Sequence, residues 1–165
     1  MSAKSAALRQ ALAAGEEVFS CTLPRQPILC SPWLQSPDDQ QMTWVTSQLI
    51  LQNQDCPTQH TTGMIHRIPD LRREEWYGQC CFYLLPLGAG RGQYRPEGEY
   101  LCRYHFGPYS TLPETYGLLM ETARQQGRAL GEFCYEETVA DGLCAAGEEG
   151  YITLVRMPVQ PPRSL

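Results

Sequence analysis

The chain has 165 residues, 42% hydrophobic and 19% charged, which is the composition of one globular domain with its own core and excludes a disordered tail. Its 13 basic and 18 acidic residues leave a net charge of −5, so the surface lacks the Lys/Arg cluster that gathers phosphates, and any DNA-reading part is expected outside this chain. No stretch approaches the roughly 20 apolar residues of a membrane span, and the N-terminal MSAKSAALRQALAAGEE has no apolar signal core, giving a cytoplasmic expectation.

Residues 3–14 (AKSAALRQALAA) are strong helix formers that stop at Gly15. Their apolar positions are mostly alanine, so the helix is expected to bury little alone, as the end of a longer helix or against a partner. EEVFSCTLP (16–24) and QPILCSPWLQ (26–35) read as short strands broken by Pro24 and Pro27. Ser36-Pro37-Asp38 signals a helix start, with Pro37 in the first turn and Met42, Val45 and Leu49 at helical spacing. TTGMIHRIPD (61–70) and WYGQCCFYLLPL (76–87) read as strands, and LGAGRGQYRPEGE (87–99) as a Gly-rich connector. That connector lacks the Lys-Ser/Thr end of a phosphate loop, so no nucleotide cofactor is expected. GEYLCRYHFG (98–107) is a strand, and the next segment, to Gly127, a helix starting near Thr111, Pro113 and Glu114. GEFCYEETVA (131–140) and GYITLVRMPV (150–159) complete the strands, and a Pro-rich tail follows.

The order strand–helix–strand–strand thus occurs twice, with ILC ending at Cys30 and YLC at Cys102 before the two helices. Such a duplication predicts an α+β fold in which two main helices lie on an antiparallel sheet and leave a central ligand cleft, preceded by a short N-terminal helix. The eight cysteines form no CxxC pair, and the three histidines do not fall at ligand spacing beside them. They read as buried, reduced thiols, and no metal is expected.

Tyr100-Leu101-Cys102-Arg103-Tyr104-His105-Phe106-Gly107-Pro108-Tyr109 resembles the signature of the GyrI-like family, in which a strand ends in a His/Gly/Tyr corner before a helix. Tyr116-Gly117-Leu118-Leu119, the strand around Phe133 to Glu136, and Glu149 to Val159 continue the resemblance, which covers most of residues 17–159. It implies three parts: an N-terminal helix (1–16), which would be the tail of a dimerising or linker helix, a GyrI-like effector-binding domain (17–159) and a tail (160–165). Members of the family bind lipophilic or cationic small molecules, many as the effector half of MerR-type or AraC-type transcription regulators. DNA would then be met only through a separate DNA-binding domain, and a homodimer would form through the N-terminal helix. Where the family often carries a Thr-Glu pair on the last strand, Thr153 is followed here by Leu154.

A pocket for organic cations needs aromatic faces and an acid. Glu136 is the candidate acid: it matches the family's central glutamate and alternates with Cys134 within an apolar strand. The reading that sets it in solvent beside Glu137 stays open. Tyr116 and Trp44, at comparable places on the two helices, are candidate ligand contacts, and Trp76 and Tyr77 a candidate lid after a charged loop. Tyr151 is a further candidate, with Glu136 as a partner for its hydroxyl. His105 is read as part of a structural corner, with Gly107 allowing the turn. The function expected is non-catalytic sensing of a bulky, apolar or aromatic, cationic molecule. The alternatives are hydrolysis of a strained electrophilic natural product with Glu136 as base, and a stand-alone protein-binding module.

Overall fold

The computed structural model describes residues 2–141 and 147–161; Cys144 lies outside them. Ser2 caps helix α1 (Ala3–Ala14), and Gly15 ends it at φ 65°, a conformation glycine adopts without a Cβ clash. Strands β1 (Phe19–Leu23), β2 (Gln26–Cys30) and the short β3 (Leu34–Gln35) follow. Helix α2 (Asp39–Gln52) starts from a reciprocal capping box, in which Asp38 accepts from the Gln41 N–H and the Gln41 side chain accepts from the Asp38 N–H. Pro37 therefore precedes the cap instead of occupying the first turn.

Strand β4 (Thr58–Arg67) ends where Pro69 enters, and the Ile68-Pro69-Asp70 segment, expected as strand, turns into the short helix α3 (Ile68–Arg72). Proline lacks the N–H a ladder needs but fits a first helical turn. After β5 (Gln79–Pro86), the expected connector also holds a short edge strand, β6 (Gln93–Arg95). Strand β7 (Gly98–Phe106), helix α4 (Leu112–Gln125, with Pro113 in its first turn), β8 (Phe133–Ala140) and β9 (Ile152–Pro158) complete the chain. No helix among the described residues is long and apolar enough to cross a membrane.

The strands form one antiparallel sheet in the order β1-β7-β9-β8-β4-β5-β2-β6, with β3 on β5. Strands β7-β9-β8 mirror β2-β5-β4, and the halves join where β4 meets β8 with Ile65 opposite Tyr135. This is the duplication read from the sequence. The outermost strands are exchanged: β1 from the first half pairs with β7, and β6 from the second pairs with β2. Only Pro24 and Arg25 separate β1 from β2, at opposite ends of the order. At about 3.6 Å per residue the two ends must approach within roughly 11 Å, so the sheet curls.

Helices α2 and α4 lie on one face. Leu49 of α2 packs with Leu29 and Leu84, and Leu112, Tyr116, Leu119 and Ala123 of α4 pack on Leu101, Cys134, Val155 and Met157. The other face curls around Tyr83, Tyr100, Cys102 and Tyr135, where α1 inserts its Ala11 and Ala14. The alanine face of α1 is thus used on its own sheet, leaving Leu8 and Leu12 exposed. Among the described residues the seven cysteines are free thiols, buried or half-buried.

At the centre of the sheet Gly63 faces Tyr83, and a Cβ there would overlap the phenol ring. Gly63→Ala is expected to destabilise the fold by about 2–3 kcal/mol, since overpacking a closed core forces backbone shifts. Gly117, inside α4 with open space around its Cα, gives the opposite result: Gly117→Ala raises stability by about 0.5–1 kcal/mol. Urea unfolding of the two variants checks both signs.

Candidate functional site

Between α2 and α4 the sheet face is left uncovered, and there a cleft of about 570 Å³ opens. Register builds its floor. Phe82 of β5 stands opposite Met64 of β4, and Met64 opposite Glu136 of β8, so these three side chains form one row across the central strands. Two residues further along, Thr138 of β8 stands opposite Thr153 of β9. Asp39, Met42, Thr43, Thr46 and Ser47 of α2 form one wall, and Leu112, Tyr77 and Tyr109 close the other sides. The hydroxyls of Thr43, Thr46 and Ser47 each donate to the carbonyl one turn back, which spares the wall unmet donors.

Glu136 is 6% exposed. The Tyr116 hydroxyl, from α4, donates to its Oε1. His66 of β4 brings Nε2 within 3.2 Å of the same oxygen, yet the angle does not make a hydrogen bond, and neither ring nitrogen has a hydrogen-bond partner. No Lys or Arg among the described residues pairs with Glu136. The adjacent Glu137 points to the other face, where Arg95 at 2.9 Å and Arg156 at 3.1 Å hold it and the Tyr83 hydroxyl donates to it. The strand's pleat thus decides between the two readings of this acidic pair: Glu137 meets two arginines, and Glu136 is buried at the cleft with His66 but no Lys or Arg beside it. Among the described residues, two acids, Glu136 and Asp39, and no Lys, Arg or His line the cleft.

Burial, and then the charge of Glu136, holds the Tyr116 phenol well above the ordinary tyrosine range. Tyr77 is raised by the same two causes in the same order, and Cys80, buried beside the site, is pushed up to about 11. These groups stay neutral beside Glu136.

Of the residues proposed from the sequence, Glu136 and Tyr77 line the cleft. Tyr116 lies under it on Glu136, and Trp76 packs on Tyr116 with ring centres 5.9 Å apart, outside the cleft. Tyr151 precedes β9 and packs on Tyr109 at 5.1 Å; the hydroxyl expected on Glu136 from Tyr151 comes from Tyr116 instead. Trp44 is 64% exposed: the phase that turns Leu49, Val45 and Met42 toward the sheet turns position 44 outward. It borders a shallow groove on the outer side of α2. His105 is the corner residue expected, bonded to Thr115, Thr111 and the Pro108 carbonyl, with Gly107 at φ 125°. Leu154 is buried in the core on the far face, so an acid at that position would point away from the cleft.

Sequence reasoning missed Asp39, Met64, His66, Tyr109 and Thr153. Strand alternation from Ile65 puts Met64 and His66 on the face opposite the curled core, and that signal was available. Their nearness to Glu136 depends on the β4–β8 register, which no local pattern carries.

No family model matches the sequence, and no curated protein does. Among solved structures, the C-terminal domain of EcmrR superposes with a TM-score of 0.70 at 16% identity, over 88% of this chain and 98% of that one. The EcmrR chain of the EcmrR–DNA complex gives a TM-score of 0.73 at 16% identity over 95% of this chain, which spans 65% of that longer chain. A hydrolase encoded by lin2189 from Listeria innocua matches with a TM-score of 0.59 at 12% identity, over 88% of this chain and 92% of that one. SAV2435 bound to tetraphenylphosphonium matches with a TM-score of 0.50 at 16% identity, over 87% and 94%. The chain has the fold of the EcmrR C-terminal domain, and its resemblance to the GyrI-like family holds at the level of the fold.

Thiols and phenols raised in the folded state fix a pH dependence. In the unfolded chain cysteines ionise near 9 and tyrosines near 10. Above those values these groups keep protons in the folded state that they lose in the unfolded state, so their contribution to stability is full below pH 9 and is lost as pH rises. Thermal unfolding between pH 7 and 11 is expected to show Tm declining from about pH 9 onward, and a flat profile would contradict the burial of these groups.

Proposed function

We propose that this chain is a non-catalytic effector-sensing domain that receives a bulky, largely apolar organic cation in the cleft over Glu136. The observation that carries this reading is the charge of the lining: among the described residues two acids and no base line the cleft, and Glu136 is buried with a phenol and a histidine but no Lys or Arg beside it. A buried carboxylate without a permanent counter-charge is costly, and a cation entering the cleft supplies one. Tyr77, Phe82 and Tyr109 offer ring faces, each worth about 0.5–2 kcal/mol to a cation, and Met42 and Met64 adapt to irregular shapes. The volume of about 570 Å³ suits a drug-sized ligand. SAV2435, which shares the fold, is bound to tetraphenylphosphonium.

The regulatory half of the proposal draws on EcmrR, whose longer chain is seen in complex with DNA. With a net charge of −5, this chain is unsuited to DNA itself, so a segment outside it would do that work. Strand β8 gives the signal a route: Glu136 faces the cleft, while Tyr135 on the opposite face belongs to the core that α1 enters through Ala11. A ligand that shifts β8 would shift α1, if it binds one arrangement better than another.

A second reading has one observation behind it. Glu136 with the Tyr116 phenol and His66 beside it forms a base-and-acid cluster suited to opening a strained electrophilic ring, and one protein of the same fold is described as a hydrolase. Mass analysis of an epoxide incubated with the protein and with Glu136→Gln decides this point: equal disappearance in both removes it.

The sensor reading is tested by isothermal titration with an isosteric pair, tetraphenylphosphonium and tetraphenylborate. Wild type is expected to bind the cation and not the anion. Glu136→Gln weakens the cation by about tenfold or more, with neutral triphenylphosphine oxide changed by less than about twofold. Equal affinity of wild type and Glu136→Gln for the cation would overturn the proposal.

A further inference from the structure

The cleft floor has two chemically different rows. One is Phe82, Met64 and Glu136. The other is made of hydroxyls: Thr138 and Thr153 stand directly opposite each other on β8 and β9, and Thr62 lines the same cleft from β4. A side chain in the first row needs only an apolar or cationic partner, whereas the second row needs hydrogen bonds.

Thr153 makes this row more than surface decoration. It is 3% exposed, and its Oγ1 is buried with no hydrogen-bond partner among the described residues. A buried hydroxyl without a partner costs stability, and a valine of nearly the same shape would avoid that cost. The strand neighbour across β7 offers no relief, because His105 spends both ring nitrogens on Thr115, Thr111 and Pro108. Tyr109 stands over this end of the cleft, its phenol interacting with Thr138 and its ring packed on Tyr151. Tyr109 is itself 40% exposed and sits on the short turn before α4, not within the sheet. Displacing its ring opens the hydroxyl row to a ligand that already fills the first row.

We infer that the cleft selects organic cations that also carry a hydroxyl or carbonyl group, with the cation on Glu136 and the polar group hydrogen-bonded to Thr153 beneath Tyr109. This rests on the cation reading above and names the ligand class within it. Thr153 is then the residue that fixes specificity: Glu136 admits cations in general, and Thr153 ranks them. Its unpartnered hydroxyl is the position the ligand completes.

The test uses two phosphonium probes that differ in one group, tetraphenylphosphonium and (4-hydroxyphenyl)triphenylphosphonium, titrated into wild type and Thr153→Val. Wild type is expected to bind the hydroxylated probe about fivefold tighter or more, the usual gain from completing one hydrogen bond. In Thr153→Val the two probes bind alike. The ligand-free variant melts higher than wild type, an effect that a structural role for the hydroxyl would reverse. Wild type binding both probes equally overturns this inference and leaves the cation reading standing. If neither probe binds, both fall. Should Thr153→Val fail to fold, the hydroxyl is structural and the inference is overturned. Thr138→Val, whose hydroxyl already meets Tyr109, is expected to lower the preference only in part.

Discussion

Glu136 and Glu137 are consecutive acids on one strand, and the pleat sends them to opposite faces of the sheet. On the curled side Glu137 is held by two arginines and a tyrosine. On the cleft side Glu136 has a phenol, a histidine that makes no hydrogen bond, and no arginine or lysine. Both acids are largely withdrawn from water, but only Glu137 is met by guanidinium groups. The proposed preference of the cleft for cations rests on this imbalance. Tyr116 and Tyr77 keep their protons because they are buried beside that charge.

The duplicated architecture puts the imbalance where a ligand can reach it. The halves join at β4 and β8, and each half contributes one helix set off from that junction. The space between α2 and α4 therefore falls over the central strands, where Met64, Phe82 and Glu136 converge. Exchange of β1 and β6 between the halves ties the ends of the sheet together through short links and gives the far face its curled core. Helix α1 fills that core with alanines, small enough to approach β8 closely. One strand thus lines the cleft on one side and meets the N-terminal helix's core on the other.

Much of this was legible in the sequence because it is local. Alanine-rich 3–14 with Gly15, the turn signals at Asp38 and Pro113, and the repeated strand–helix–strand–strand order all rest on neighbouring residues, and each is present. Glu136 stood out because a charge in an apolar strand needs an explanation. The strand expected over Ile68-Pro69-Asp70 failed at the proline, where a helical turn takes over. Trp44 faces away from the cleft because its direction depends on the angle at which α2 sits, which is fixed by Leu49 on Leu84 and Leu29. His66 and Thr153 were passed over because nothing near them in sequence shows what they face. Their meaning comes from pairings between residues far apart in the chain, Met64 with Glu136 and Thr138 with Thr153.

The most direct measurement of the central claim is a crystal structure of the complex with tetraphenylphosphonium. The phosphorus is expected between α2 and α4, with a phenyl ring against Phe82 and Met64, and the Glu136 carboxylate as the nearest charge. Density for the cation in the groove beside Trp44, on the curled face, or in the cleft but turned away from Glu136 would contradict the account.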